Sequence, residues 1–177
     1  PSLALGWKII NMPFMEKAKE DMNEFKLRLG WGITGQQAVG GYFPYIPVYT
    51  QSNPSVQYPS PDGVTAGWIN PLYPNAYNEE IKWEETTTWN VGLDMGWWNN
   101  RLTVALDWYL RDTKDLLAYV PVPAGMTTTN YMDRNIGELR NIGEEATIGA
   151  RVIDTDDFVW TTSYNVAWNK NELTTLT

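Results

Sequence analysis

Apolar and polar residues alternate with a period of two in six segments of this chain. That period is the mark of a strand whose two faces meet different surroundings. The clearest segment runs from Arg101 to Arg111: Leu102, Val104, Leu106, Trp108 and Leu110 point one way, and Thr103, Ala105, Asp107, Tyr109 and Arg111 point the other. The segment before it sets Trp89, Val91, Leu93, Met95 and Trp97 against Asn90, Gly92, Asp94 and Gly96. Trp98-Asn99-Asn100 between them is a short Asn-rich turn that tolerates left-handed backbone, so the two form a hairpin. The same rule predicts strands over about 2–10, 24–34, 85–97, 101–116, 143–153 and 158–169.

The connections are of two kinds. Residues 98–100 and 153–157 are tight turns, and 11–23 is a modest link with a helical turn around Phe14 to Lys19. Residues 35–82 and 117–134 are long and rich in Pro, Gly, Thr or Tyr. Long and short connections alternate, which puts the long ones at one end of the sheet. Transmembrane barrels have this asymmetry, with short periplasmic turns and long extracellular loops.

Composition removes several kinds of chemistry. There is no Cys and no His, hence no disulfide, no thiolate or imidazole metal site and no Ser-His-Asp machinery. Carboxylate-only chemistry stays formally open, but Glu84-Glu85 and Glu144-Glu145 are adjacent and point to opposite faces, so neither pair works as acid and base. Asp154, Asp156 and Asp157 read as a solvated turn and not as a calcium loop, which needs a Gly and a terminal Glu. No enzyme activity, cofactor or metal is expected. The net charge of -8 disfavours nucleic acid. No window approaches the roughly 20 apolar residues of a spanning helix, although alternation hides a spanning strand from that test.

Ten Trp and ten Tyr are the unusual numbers, because their placement bears on the fold. Trp89 and Trp97 are eight residues apart on one face, as are Trp160 and Trp168. Eight residues span roughly 27 Å along a strand, or roughly 20 Å when the strand is tilted by about 40°. An outer-membrane apolar band is about 25 Å tall, with an aromatic girdle at each edge. The spacing fits a Trp at each interface, with Val91, Leu93 and Met95 in hydrocarbon. A soluble β-sandwich that binds carbohydrate through an aromatic loop is the alternative, and there the same Trp residues are core. Six strands fall short of the roughly eight needed to close a barrel, so the chain is expected to be a piece of one.

Local wording narrows the reading. Lys82-Trp83-Glu84-Glu85-Thr86 through Asn90-Val91-Gly92-Leu93-Asp94 resembles a strand of SusC/RagA-type TonB-linked outer-membrane proteins. Asn99-Asn100-Arg101-Leu102 resembles the turn that follows it, and Asp107-Trp108-Tyr109 through Thr113-Lys114-Asp115-Leu116-Leu117 the next strand. Asn135-Ile136-Gly137 and Asn141-Ile142-Gly143, with Glu145, resemble the approach to another strand. Leu5-Gly6-Trp7 and Leu27-Arg28-Leu29-Gly30-Trp31-Gly32 with Thr34-Gly35-Gln36-Gln37 are similar to two more. The motifs succeed one another in the family's order along almost the whole chain. One departure is Glu144, where the family usually has an apolar residue; in this register it points outward and belongs at or above the outer girdle.

The resemblance implies an all-β fold: antiparallel strands forming part of the C-terminal half of a transmembrane β-barrel of about 22 strands, with long extracellular loops. It implies an outer-membrane importer of glycans or peptides in a Gram-negative bacterium. A SusD-like surface lipoprotein would cap it and TonB would energise it through regions not found in this sequence. Outer-membrane lipid would surround it. Residues 1–177 would then supply wall and outer loops. Tyr42, Phe43, Tyr45, Tyr49, Trp68 and Tyr73 are the candidate contacts to substrate or partner, since aromatic faces stack on sugars and dominate interfaces. Packing of the loop against itself is the competing role for each. The polar faces, including Arg28, Asp94, Asp107 and Arg151, would line the lumen.

Overall fold

The computed structural model describes residues 1–36, 45–51, 58–59, 68–69, 71–127 and 129–176. Its main feature is a six-stranded sheet of β1 (Ser2–Lys8), β2 (Met22–Gln36), β7 (Glu84–Trp97), β8 (Leu102–Pro121), β9 (Tyr131–Asp154) and β10 (Val159–Leu176). The strands lie in chain order, β1-β2-β7-β8-β9-β10, and the sheet is open, with β1 and β10 each having one neighbour in it. Four short strands come between β2 and β7. β3 (Tyr49–Gln51) pairs with β6 (Leu72–Pro74), and β4 (Tyr58–Pro59) with β5 (Trp68–Ile69).

The registers sort the side chains cleanly. Trp89 faces Leu110, Val91 faces Trp108, Leu93 faces Leu106, Met95 faces Val104 and Trp97 faces Leu102. Asn90, Gly92, Asp94 and Gly96 face Tyr109, Asp107, Ala105 and Thr103 on the other side. Pairing of Leu3, Leu5 and Trp7 with Trp31, Leu29 and Leu27 continues the apolar face, and Tyr164–Ile148 and Val166–Ala146 carry it to the far edge. Among the described residues the one buried apolar side chain is Ile10. A sandwich core of this length would bury many, so the apolar face is not turned into a protein interior.

The strands outrun the alternation that revealed them, for a local reason. Asp115, inside β8, has φ 55, a left-handed conformation that Asp tolerates. The period-2 pattern stops at this residue, next to Lys114, while the strand continues to Pro121. β9 starts at Tyr131 rather than near 143, and β10 runs on to Leu176 through a register shift at Leu173/Thr175. The link after β1 holds three 3-10 turns, Ile9–Asn11, Pro13–Met15 and Ala18–Glu20.

The chain divides into two compact units. The first comprises residues 1–35, 85–114 and 137–177, and the second 36–84 and 115–136. In the first, the hairpin turn places Trp98, Asn99 and Asn100 at φ 50, 55 and 60. Left-handed backbone costs a non-glycine residue about 1–2 kcal/mol. Asn23 offsets this by accepting from the Asn99 backbone N–H (2.5 Å) and donating to the Asn99 side chain (3.2 Å). The Trp98 N–H also donates to the Asp21 carbonyl at 2.8 Å. In the β9–β10 turn the Thr155 hydroxyl donates to the Phe158 carbonyl (2.9 Å) and accepts from its N–H (3.1 Å).

Candidate functional site

On the polar face of the first unit, β2, β7 and β8 converge on one cation. Arg28 donates from Nε and Nη2 to both carboxylate oxygens of Asp94, at 2.8 and 2.9 Å. Its Nη1 and Nη2 also reach Asp107, at 3.0 and 3.1 Å. A planar guanidinium suits this double fork. The group is only part-buried, so it fixes geometry more than it adds stability. Gly92 makes room for it: a Cβ there would stand 2.6 Å from Arg28 Cζ and 2.7 Å from Asp107 Oδ1. The same device recurs on β9, where the Tyr109 ring lies against Gly143 in the space a side chain would fill. The face is therefore floored by glycine and covered by long polar side chains lying flat. The Arg111 guanidinium stacks over Tyr109 at 4.9 Å. Arg151 pairs with Asp154 at 3.1 Å.

The apolar face carries the aromatic residues. Trp89, Trp160 and Trp168 are 50%, 51% and 56% exposed, while Trp97 is half-buried. Trp89 meets Trp31, with ring centroids 6.0 Å apart. Trp108 lies opposite Val91, one strand away. Trp31 and Trp108 thus join the Trp positions singled out by eight-residue spacing; each stands in an alternating run, but neither has a Trp partner on its own strand. Trp168 faces Glu144, so the departing carboxylate lies level with an aromatic position on this face.

The second unit is stitched by side chains reaching the backbone. Asn135 accepts from the Lys82 N–H (2.9 Å) and donates to the Lys82 carbonyl (2.9 Å) and the Asp115 carbonyl (2.7 Å). Glu84 accepts from the Leu117 N–H at 2.9 Å. Thr129 accepts from the Ala76 N–H at 2.6 Å, and Asn78 donates to the Asp133 carbonyl at 3.4 Å. The rings of Tyr119 and Tyr131 stack at 5.1 Å. The Tyr77 hydroxyl donates to Glu79 at 3.1 Å, which pushes its pKa above the ordinary tyrosine value. A polar cavity of about 560 Å³ is lined by Asn78, Glu80, Lys82, Asp115, Arg134 and Asn135.

Of the aromatic contact candidates, Tyr49 stands exposed on β3 opposite Pro74, and Tyr73 sits half-buried on β6 opposite Thr50. Tyr45 is exposed in the turn before β3. Trp68 belongs to β5, where its backbone pairs with Pro59. Tyr42 and Phe43 lie outside the described residues. Asn135 was legible only as part of an Asn-x-Gly motif; nothing in the sequence announces its three backbone bonds. Among the described residues no three acidic side chains are grouped so as to hold a metal ion.

An open antiparallel sheet with an uncovered apolar face and a charged opposite face is the form of a barrel wall. The sequence profile described as "TonB dependent receptor-like, beta-barrel" matches residues 1–176, and the chain belongs to that family. It is 49% identical over 177 residues to the TonB-dependent receptor SusC of Bacteroides thetaiotaomicron, a match covering all of this chain and 17% of that protein. It resembles the structure of the RagAB peptide importer in its closed-closed state with a TM-score of 0.81 and 26% identity. A second structure, of the RagAB peptide transporter, gives a TM-score of 0.80. Each match takes in 99% of this chain and 18% of the other. The chain thus spans under a fifth of the length of these relatives. Receptors of this family are outer-membrane proteins of Gram-negative bacteria.

Proposed function

We propose that this chain forms wall and extracellular-loop segments of a TonB-dependent importer that takes up glycans or peptides. The supporting observation is the two-sided sheet. One face gathers apolar side chains and Trp with no protein core beneath them, and the other gathers the Arg28, Asp94 and Asp107 cluster. In lipid, unpaired strand edges cost several kcal/mol per group, so β1 and β10 need further strands of a closed barrel. Trp89 and Trp168 mark the interface on the long-loop side, and Trp97 and Trp160 the one on the tight-turn side. The polar face lines the lumen. The second unit supplies the surface that meets a SusD-like lipoprotein or the substrate, with Tyr49 and Tyr73 as contacts and TonB acting elsewhere in the protein.

Because these 177 residues contain no Cys, single-cysteine labelling reads their topology in a full-length receptor whose remaining sequence is made Cys-free. In intact cells producing the full-length receptor, an impermeant maleimide should label Tyr49→Cys and spare Asp156→Cys until the outer membrane is opened. The reverse pattern would overturn the orientation. Uptake of labelled oligosaccharides and peptides by those cells, with and without TonB, tests the transport role and separates the two cargo classes.

A further inference from the structure

We propose that the polar cavity of the second unit is a subsite for an acidic sugar, in which Lys82 and Arg134 receive the carboxylate of a uronate residue. The stretches 36–84 and 115–136 that make up this unit contain six acidic residues but two basic ones, Lys82 and Arg134. Both basic side chains line the same cavity of about 560 Å³. That volume falls within the range of about 300–1,000 Å³ usual for small-molecule sites. Glu80 and Asp115 line it too, yet among the described residues neither cation forms an ion pair with them or with any other acid. The spacing is set by backbone: Asn135 binds the Lys82 N–H and carbonyl and the Asp115 carbonyl, and so fixes where both charged side chains start. A uronate satisfies both signs at once. Its carboxylate accepts from Lys82 and from the Arg134 fork, and its ring hydroxyls donate to Glu80 and Asp115. A neutral sugar leaves the two cations without an anion. Asn78 lines this cavity and also a smaller cleft of about 160 Å³ walled by Tyr77, Tyr119 and Tyr131. Tyr119 and Tyr131 are exposed and stacked on one another, with centroids 5.1 Å apart. Their flat apolar faces suit the next sugar ring of the same chain.

The inference rests on the second unit meeting cargo, and it narrows that cargo to acidic glycans. Full-length receptor in detergent should be titrated by calorimetry with oligogalacturonate, oligomannuronate and hyaluronan oligosaccharides. Each is set beside its carboxyl-reduced form, which differs only in the lost charge. At least one acidic form should bind about tenfold or more tightly than its reduced partner. Lys82→Gln combined with Arg134→Gln should abolish that difference; Lys82→Gln leaves the backbone bonds to Asn135 in place. Tyr119→Ala should weaken the acidic and reduced forms alike, since stacking does not read the charge. Equal binding of every acidic and reduced pair, or an acid preference that survives the double variant, would overturn the subsite. If cells producing that receptor still take up neutral oligosaccharides or peptides in a TonB-dependent way, the importer stands without it. Absence of uptake of every cargo would overturn both.

Discussion

The first unit is ordered by long backbone ladders between strands, whereas the second adds to its short ladders a set of side chains that reach for backbone groups. In the ladder, each residue's partner follows from one register, so Trp89 opposite Leu110 already fixes Gly92 opposite Asp107. In the second unit, Asn135, Glu84, Asn78 and Thr129 each satisfy particular N–H or C=O groups, and none of those bonds implies the next. The ladder is redundant and tolerates loss of a single side chain as long as the face is respected. The stitched segments depend on individual polar residues but do not care about faces. This difference suits the two roles proposed, a wall that must stay in one register and loops free to vary in sequence.

The contrast can be broken deliberately. The largest effect is expected from Leu93→Arg, which sets a charge on the apolar face between the two Trp lines. It should cost about 2–4 kcal/mol if the face meets lipid, read as lost insertion of the full-length receptor in a vesicle-folding titration. Arginine in place of Ala105, on the opposite face, should insert normally. Equal penalties at both sites would erase the distinction between the faces. Gly92→Val comes next. The added methyls collide with a guanidinium pinned between two carboxylates, and overpacking of this kind costs about 1–3 kcal/mol. Pairing it with Arg28→Ala should remove most of that cost, and a double-mutant cycle measures the coupling.

Asn135→Ala tests the stitched unit. Three backbone groups lose their partner, for a local cost of about 1–3 kcal/mol. Faster hydrogen exchange at Lys82, whose N–H Asn135 accepts, with unchanged protection in β7 and β8 below residue 114, is the expected signature. Asn23→Ala should cost about 1 kcal/mol by uncapping the left-handed turn at Asn99, with Asn99→Gly restoring part of it. At the bottom of the scale, Lys170→Gln removes an exposed pair with Glu172 and should leave folding unchanged.

Much of the wall was legible because a pleated strand writes its two faces into the sequence with a period of two. Arg101 to Arg111 and Trp89 to Trp97 could be assigned to faces before any register was known, and the observed pairing keeps those faces. The Asn-rich turn was legible too, since few residues other than Gly, Asn and Asp accept left-handed backbone cheaply. Trp98 in that conformation was not legible; it is carried there by its neighbours and by Asp21 and Asn23.

What the sequence determined by itself was the class of fold, the faces of the strands and the family. These follow from local periodicity and from short motifs in a fixed order. Only the tertiary structure decided which distant residues meet. Arg28 finds Asp94 and Asp107 across three strands, Tyr109 lies down on Gly143, and Asn135 gathers three backbone groups from remote segments. It also decided that Lys82 and Arg134 line one cavity. The reason is physical: side-chain direction is set by the residue's own backbone, but its partner is set by register and by shifts in it such as those at Trp160/Thr161 and Leu173/Thr175. Those depend on hydrogen bonds between strands and on loops whose sequence has no period to read.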